Sequence, residues 1–208
     1  MSVVTRRQFL QGAGSLGGVL VASALPVWAW ADTPPSALAP AGFVDMSAAL
    51  LGIDRFVLDP PVQPDDMGLS SVYYDLGIRA GTNGMDQLMR EFTRRASSGQ
   101  SEAAIAHGLL TAGANFPRTD AVGTFARLTM LMWLFGIWYG ATECARQPAA
   151  RGHITGEGYQ SDFVVSARAY RAGWIWRIAQ AHPAGFSQFG FGSWADPAPS
   201  LAEYGIQL

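Results

Sequence analysis

Apolar positions recur along the chain at three- and four-residue steps and almost nowhere alternate, a pattern that predicts a mostly α-helical protein. Phe43, Met46, Leu50, Ile53 and Val57 give a helical spacing over 43–58, with Gly52 as a soft interruption. The stretch from Asp59-Pro60-Pro61 to Pro64-Asp65-Asp66 must be a loop, because proline restricts both itself and the residue before it. Met85, Leu88, Met89 and Phe92 then form the stripe of an amphipathic helix whose Arg90, Arg94 and Arg95 would mostly face solvent. Ser98-Gly99 ends that helix, and Ser101 offers an N-cap for a short one over 102–110. The segment 113–117 breaks the pattern again.

The longest helical stretch is expected to start at Thr119 or Asp120, either of which can cap it, and to run to about Tyr139. Its second half is apolar apart from Thr129 and Gly136. A run this short reads as a helix buried in a globular core, not a membrane span, and Arg127 precedes it. After a turn-rich connection over 152–158, a second helix is expected over 160–181. There Phe163, Ala167, Tyr170, Trp174 and Ile178 repeat at roughly four-residue steps, with Arg168, Arg171 and Arg177 off the stripe and Pro183 closing it. The tail, 185–208, is irregular and aromatic. The fold class expected is mostly α, a compact helical domain with long irregular segments at both ends.

Composition narrows the class. Hydrophobic residues make up 49% of the 208 and charged residues 14%, which is too apolar for a disordered chain and enough for one substantial core. All basic residues are arginine, the net charge is −2 and there is no basic run, so the chain has no electrostatic footprint for nucleic acid. Cys144 is the single cysteine, so no internal disulfide can form. It reads as a buried small apolar residue, with a bond to a partner chain or a reactive thiol as the alternatives.

Candidate chemistry is sparse. His107, His153 and His182 lie far apart, without His-x-x-x-His, Cys-His or His-Glu spacing for a metal. Gly12-Ala13-Gly14-Ser15-Leu16-Gly17 formally satisfies G-x-G-x-x-G, but it follows no strand and so lacks the context of a dinucleotide site. Glu143, Glu157 and Asp162 are available as acid or base, yet nothing in the sequence pairs them, and they read as solvated carboxylates. No catalytic, cofactor-binding or metal-binding residue is assigned. Aromatic density remains. Trp133, Trp138 and Trp174 read as core. Trp138 and Tyr139 are also carried as partner-surface candidates, together with Phe189, Phe191 and Trp194 on a glycine-flexed tail suited to a partner's groove.

The N-terminus carries the strongest signal. Thr5-Arg6-Arg7-Gln8-Phe9-Leu10 matches the twin-arginine pattern Ser/Thr-Arg-Arg-x-Phe-Leu, with Arg6, Arg7, Phe9 and Leu10 as its export residues. A weakly apolar stretch over 12–27 follows, and Ala29-Trp30-Ala31 supplies the small residues of a cleavage site at Ala29 and Ala31. The alternatives are an amphipathic N-terminal helix and an uncleaved anchor. The expected organisation is a signal peptide over 1–31, a linker over 32–42 rich in Pro, Ala and Ser, and a helical domain over 43–208. Cleavage removes Arg6 and Arg7, leaving 12 of the 14 basic residues against 16 acidic ones. The twin-arginine route exports folded cargo, often with a cofactor already inserted, so a leader of this kind on a chain without a cofactor motif is a mismatch.

Trp133-Leu134-Phe135-Gly136-Ile137-Trp138-Tyr139-Gly140, then Tyr170-Arg171-Ala172-Gly173-Trp174, then Phe191-Gly192-Ser193-Trp194-Ala195-Asp196-Pro197 give the mature chain a recognisable outline. It resembles the small subunit of membrane-bound FAD-dependent sorbitol, fructose and gluconate dehydrogenases. None of these motifs is catalytic. The resemblance implies a periplasmic heterotrimer, membrane-associated through its partners. The large subunit would hold FAD, and in some members an iron–sulfur cluster, while a multihaem cytochrome c subunit would pass electrons to quinone. The small subunit would hold no cofactor and would carry the twin-arginine signal that takes the flavoprotein through the translocase. Two other functions stand beside this expectation: that the chain itself oxidises a sugar alcohol, and that it is a periplasmic helical binding protein.

Overall fold

The computed structural model describes residues 34–60, 68–81, 83–113, 116–181, 183, 186–187 and 190–191. It is mostly helical, as the spacing predicts. Helix α1 (Ala41–Leu51) begins after Pro40 and stops at Gly52, which takes the left-handed conformation at φ 66° and returns its N–H to the Ala48 carbonyl. Gly52 therefore ends the helix instead of merely interrupting it. A separate short turn, α2 (Arg55–Leu58), starts where the Asp54 carboxylate accepts the Phe56 N–H.

The proline-rich segment before α1 is not a free linker over its described part. Ser36 Oγ donates to Asp75 at 2.6 Å, and the Ala39 N–H donates to Ser71 Oγ, so both residues are tied to α3 (Leu69–Ala80). Residues 41 and 42 already belong to α1.

Helix α4 (Gly84–Ser97) buries Met85, Leu88 and Phe92 on the expected stripe, and Ser98 with Gly99 (φ 74°) terminates it. Arg95 departs from the expectation of solvent, because its side chain is largely covered beside Gly108 and pairs with Glu91. Hydrogen bonds from Arg94, and from Arg95 beyond it, hold the Glu91 carboxyl down at about 2. Ser101 caps α5 (Glu102–Leu110) by accepting the Ala104 N–H. A small ladder of β1 (Thr111–Ala112) with β2 (Phe116–Pro117) then turns the chain.

Helix α6 (Ala121–Phe135) is the centre of the molecule. Asp120 caps it through the Gly123 N–H at 3.0 Å, which selects Asp120 over Thr119. It packs on α1, α3, α4 and α5 and on the C-terminal elements. Phe125, Leu128 and Met132 are fully withdrawn from water, each stabilising the fold by about 2 kcal/mol. Among the described residues no helix is long and apolar enough to cross a membrane.

Two expectations about the C-terminal half are corrected. Helix α6 does not reach Tyr139. Gly136 adopts φ 66°, its N–H closes on the Met132 carbonyl, and Ile137–Tyr139 leaves as strand β3. The helix expected over 160–181 also does not form as one piece. Asp162–Val164 is strand β4, antiparallel to β3 with Trp138 opposite Phe163. Ser166 then caps α8 (Ala167–Ala172), and Gly173 separates it from α9 (Trp174–Ile178). The four-residue spacing is real, but Phe163 uses its ring to stack on Trp138 at 6.4 Å, and Ile178 is 62% exposed. Pairing with β3 outweighs local periodicity here, helped by the β-branched Val164 and Val165. A last small ladder joins β5 (Phe186–Ser187) to β6 (Gly190–Phe191). Helix α7 (Gly140–Arg146) and a 3₁₀ turn (Pro148–Gly152) lie between β3 and β4.

Candidate functional site

Two of the segments that carry the resemblance meet in space. The turn Gly136 lies flat against the backbone of Ala169 and Tyr170 in α8, so close that a Cβ there would overlap both. Its carbonyl accepts the Val165 N–H at 2.9 Å. Gly173, between α8 and α9, rests on the Leu134 carbonyl near the end of α6, where a side chain would again collide. Gly140 leaves room for the Tyr159 carbonyl, which accepts the Trp138 indole N–H at 2.7 Å. These glycines let three backbones approach within contact, and the aromatic residues between them fill the space.

That packing revises the partner-surface candidates. Trp138 is 0% exposed, enclosed by Phe125, Tyr159 and Phe163. It is a core residue and has no face for another chain. Tyr139 is half-buried, with its ring edge-on to Phe135 at 6.0 Å. Desolvation, and then the charge of Asp162, push its hydroxyl pKa up. Trp133 is core as expected, while Trp174 is only partly covered. Arg6, Arg7, Phe9, Leu10, Ala29, Ala31, Phe189 and Trp194 lie outside the described residues. Phe191 is described only by the backbone of β6, opposite Phe186.

Among the acid–base candidates, Glu143 departs from the expected solvated carboxylate. It is 2% exposed, and Arg127 donates to its Oε1 from Nε at 2.8 Å and from Nη2 at 2.5 Å, with Arg146 closing from the other side. Arg127 also donates to the Arg118 carbonyl and to Gln147, so the cluster ties α6 to α7 and to the loop ahead of α6. Breaking a buried pair leaves an uncompensated charge. Arg127→Met is therefore expected to cost about 3 kcal/mol. Arg146→Met, whose side chain is far more exposed, should cost less than about 1 kcal/mol. Urea midpoints of the two variants, compared with the parent, check this.

Glu157 is exposed, and Asp162 is exposed but accepts the Thr142 N–H and hydroxyl. Cys144 is buried, and desolvation raises its thiol pKa, so it behaves as the small apolar residue expected. His107 sits at the surface beside Thr111, His153 is half-buried, and His182 lies outside the described residues. Among the described residues no group of His, Cys, Asp or Glu is assembled for a metal.

One cleft of the described surface combines arginine and tryptophan side chains. It lies between α2, the start of α3 and the α8–α9 pair, with a volume of about 430 Å³. Among the described residues, Arg168, Arg171 and Arg177 line it with one acidic residue, Asp59. Trp133 and Trp174 also line it, and the Arg177 guanidinium lies 4.6 Å from the centre of the Trp174 ring. Arg168 is close enough to the buried Tyr73 to oppose the rise that burial imposes on its hydroxyl pKa. The sequence placed these arginines only as an off-stripe set. The signal that marks them is Arg168 and Arg171 at i, i+3 on one short helix, with Trp174 and Arg177 repeating that step. A second groove, of about 580 Å³, has an apolar floor of Ala48, Ala49, Phe92 and Ile105, with the 62% exposed Phe56 at its edge.

No protein-family model matches the chain, and neither does any curated protein or solved structure.

Proposed function

We propose that the chain is the non-catalytic small subunit of a periplasmic, membrane-associated FAD-dependent sugar or polyol dehydrogenase, and that its leader takes the flavoprotein through the twin-arginine translocase. The observation that carries this reading is the leader itself, Thr5-Arg6-Arg7-Gln8-Phe9-Leu10 with Ala29-Trp30-Ala31, on a chain resembling such a subunit. The packing supports it in one respect. Gly136, Gly140 and Gly173, all within the resembling segments, each stand where backbone or core atoms leave no space for a side chain. Those segments thus have a scaffold role, and the chemistry belongs to a partner: FAD and any iron–sulfur cluster in the large subunit, and haem c in the cytochrome subunit. The surface that meets the flavoprotein would take in Tyr139 and the tail aromatics Phe189, Phe191 and Trp194, with Trp138 supporting it from inside.

Affinity purification of this chain from detergent-solubilised membranes tests the proposal. A larger subunit with flavin absorbance, accompanied by a c-type haem spectrum, is the expected result. Flavin bound to the isolated chain would instead make it the enzyme, and a colourless monomer from the same membranes would overturn the subunit reading.

A further inference from the structure

We propose that the cleft between α2 and the α8–α9 pair is a binding site for an organic carboxylate with an apolar body. The inference goes beyond the subunit reading and stands whether or not a flavoprotein is escorted. Charge is the first ground. In a chain whose net charge is −2, three guanidinium groups meet at one cleft where the described residues supply one carboxylate. Arginine has five N–H donors in a planar fork, so a guanidinium already engaged on one side can still present a pair of donors to a two-oxygen head group.

An orphan donor is the second ground. Trp133 lines the same cleft, is 3% exposed, and its indole N–H finds no acceptor among the described residues. A buried donor left without an acceptor costs free energy comparable to a lost hydrogen bond, and because this N–H is itself withdrawn from solvent, a ligand oxygen would satisfy it through a shift of the Trp133 ring. The third ground is the nature of the walls. Leu69, Val57 and the Trp174 ring offer apolar contact, and about 430 Å³ suits a small ligand in the range of ordinary binding pockets. Apolar walls around a cationic rim favour an anion that brings its own hydrocarbon or aromatic body over a bare inorganic one.

The carboxylate has two possible sources, a free small acid or an acidic side chain of a partner segment, and the test separates them. The purified full chain is titrated with 3-phenylpropanoate and with the blocked dipeptide Ac-Phe-Glu-NH₂. Their neutral counterparts, 3-phenylpropanamide and Ac-Phe-Gln-NH₂, and inorganic phosphate serve as controls. Binding is read by calorimetry and by the Trp133 indole ¹⁵N–¹H resonance. At least one acid is expected to bind saturably and to move that resonance, with its amide weaker by about tenfold or more. Arg171→Gln, at an exposed position that should leave the fold intact, is expected to weaken the acid by about tenfold. Preference for the dipeptide assigns the site to a protein segment, and preference for the free acid assigns it to a small molecule. Acid and amide binding alike, phosphate binding as well as the acids, an unmoved Trp133 resonance, unchanged affinity in Arg171→Gln, or no saturable binding of either acid would each overturn the proposal.

Discussion

With Arg6 and Arg7 both replaced by lysine, the proposed flavin-containing large subunit is expected to stay in the cytoplasm together with this chain, with near-complete loss of the proposed dehydrogenase activity from the periplasmic side. The substitution keeps both positive charges but removes the planar, five-donor guanidinium groups, so it separates recognition of the pair from a general need for a basic n-region. Both residues lie in the first ten, far in sequence from every element of the folded domain, so the variant's fold and its pairing with a partner should not change. Fractionation, with flavin fluorescence and immunodetection of both chains, makes the measurement. Retention of this chain alone, with the flavoprotein still exported, would remove the escort role and leave the subunit role standing. Normal export of both would show that the leader is not a twin-arginine signal.

The second large effect is on stability. Gly136→Ala is expected to destabilise the fold by about 2–5 kcal/mol, a large part of the 5–15 kcal/mol typical of a domain. Two causes add. An L-residue at φ 66° is strained by about 1–2 kcal/mol. The new methyl would also overlap the Ala169–Tyr170 backbone, which cannot rotate away as a side-chain tip could, for about another 1–3 kcal/mol. Gly52→Ala is the matched control. It has the same φ, but nothing lies within 4 Å of the added Cβ, so it should lose only about 1–2 kcal/mol. Denaturant midpoints at constant m-value give the comparison. Equal losses at the two positions would mean that α6 and α8 are not in the close contact described.

Helices α1, α4 and α5 were legible because their signals are local, whereas α3 was not anticipated. Ser101 and Asp120 cap through their own side chains a few residues on, and Met85, Leu88 and Phe92 face inward because a helix repeats every 3.6 residues. Where Gly136 stops α6 and where Gly173 divides α8 from α9 was less visible, because glycine within an apolar run has several meanings until its neighbours in space are known.

Long-range pairing decided the rest. Phe163 keeps a helical spacing from Ala167 and Tyr170, yet Trp138, twenty-five residues earlier, draws it into a strand. Glu143 looked like a solvated carboxylate because its nearest cation in sequence is Arg146, and only the fold brings Arg127 to its other side and buries the group. Trp138 read both as core and as a partner-surface candidate, and its ring contacts with Phe125, Tyr159 and Phe163 decide for the core. The arginine-lined cleft draws on α2, α3, α6, α8 and α9, so no window of sequence contains it. By itself the sequence determined what depends on neighbours along the chain: the helical class and the caps. Burial, ion pairing and the cleft depend on which distant segments share a dielectric and a contact surface, and only the tertiary structure decided those.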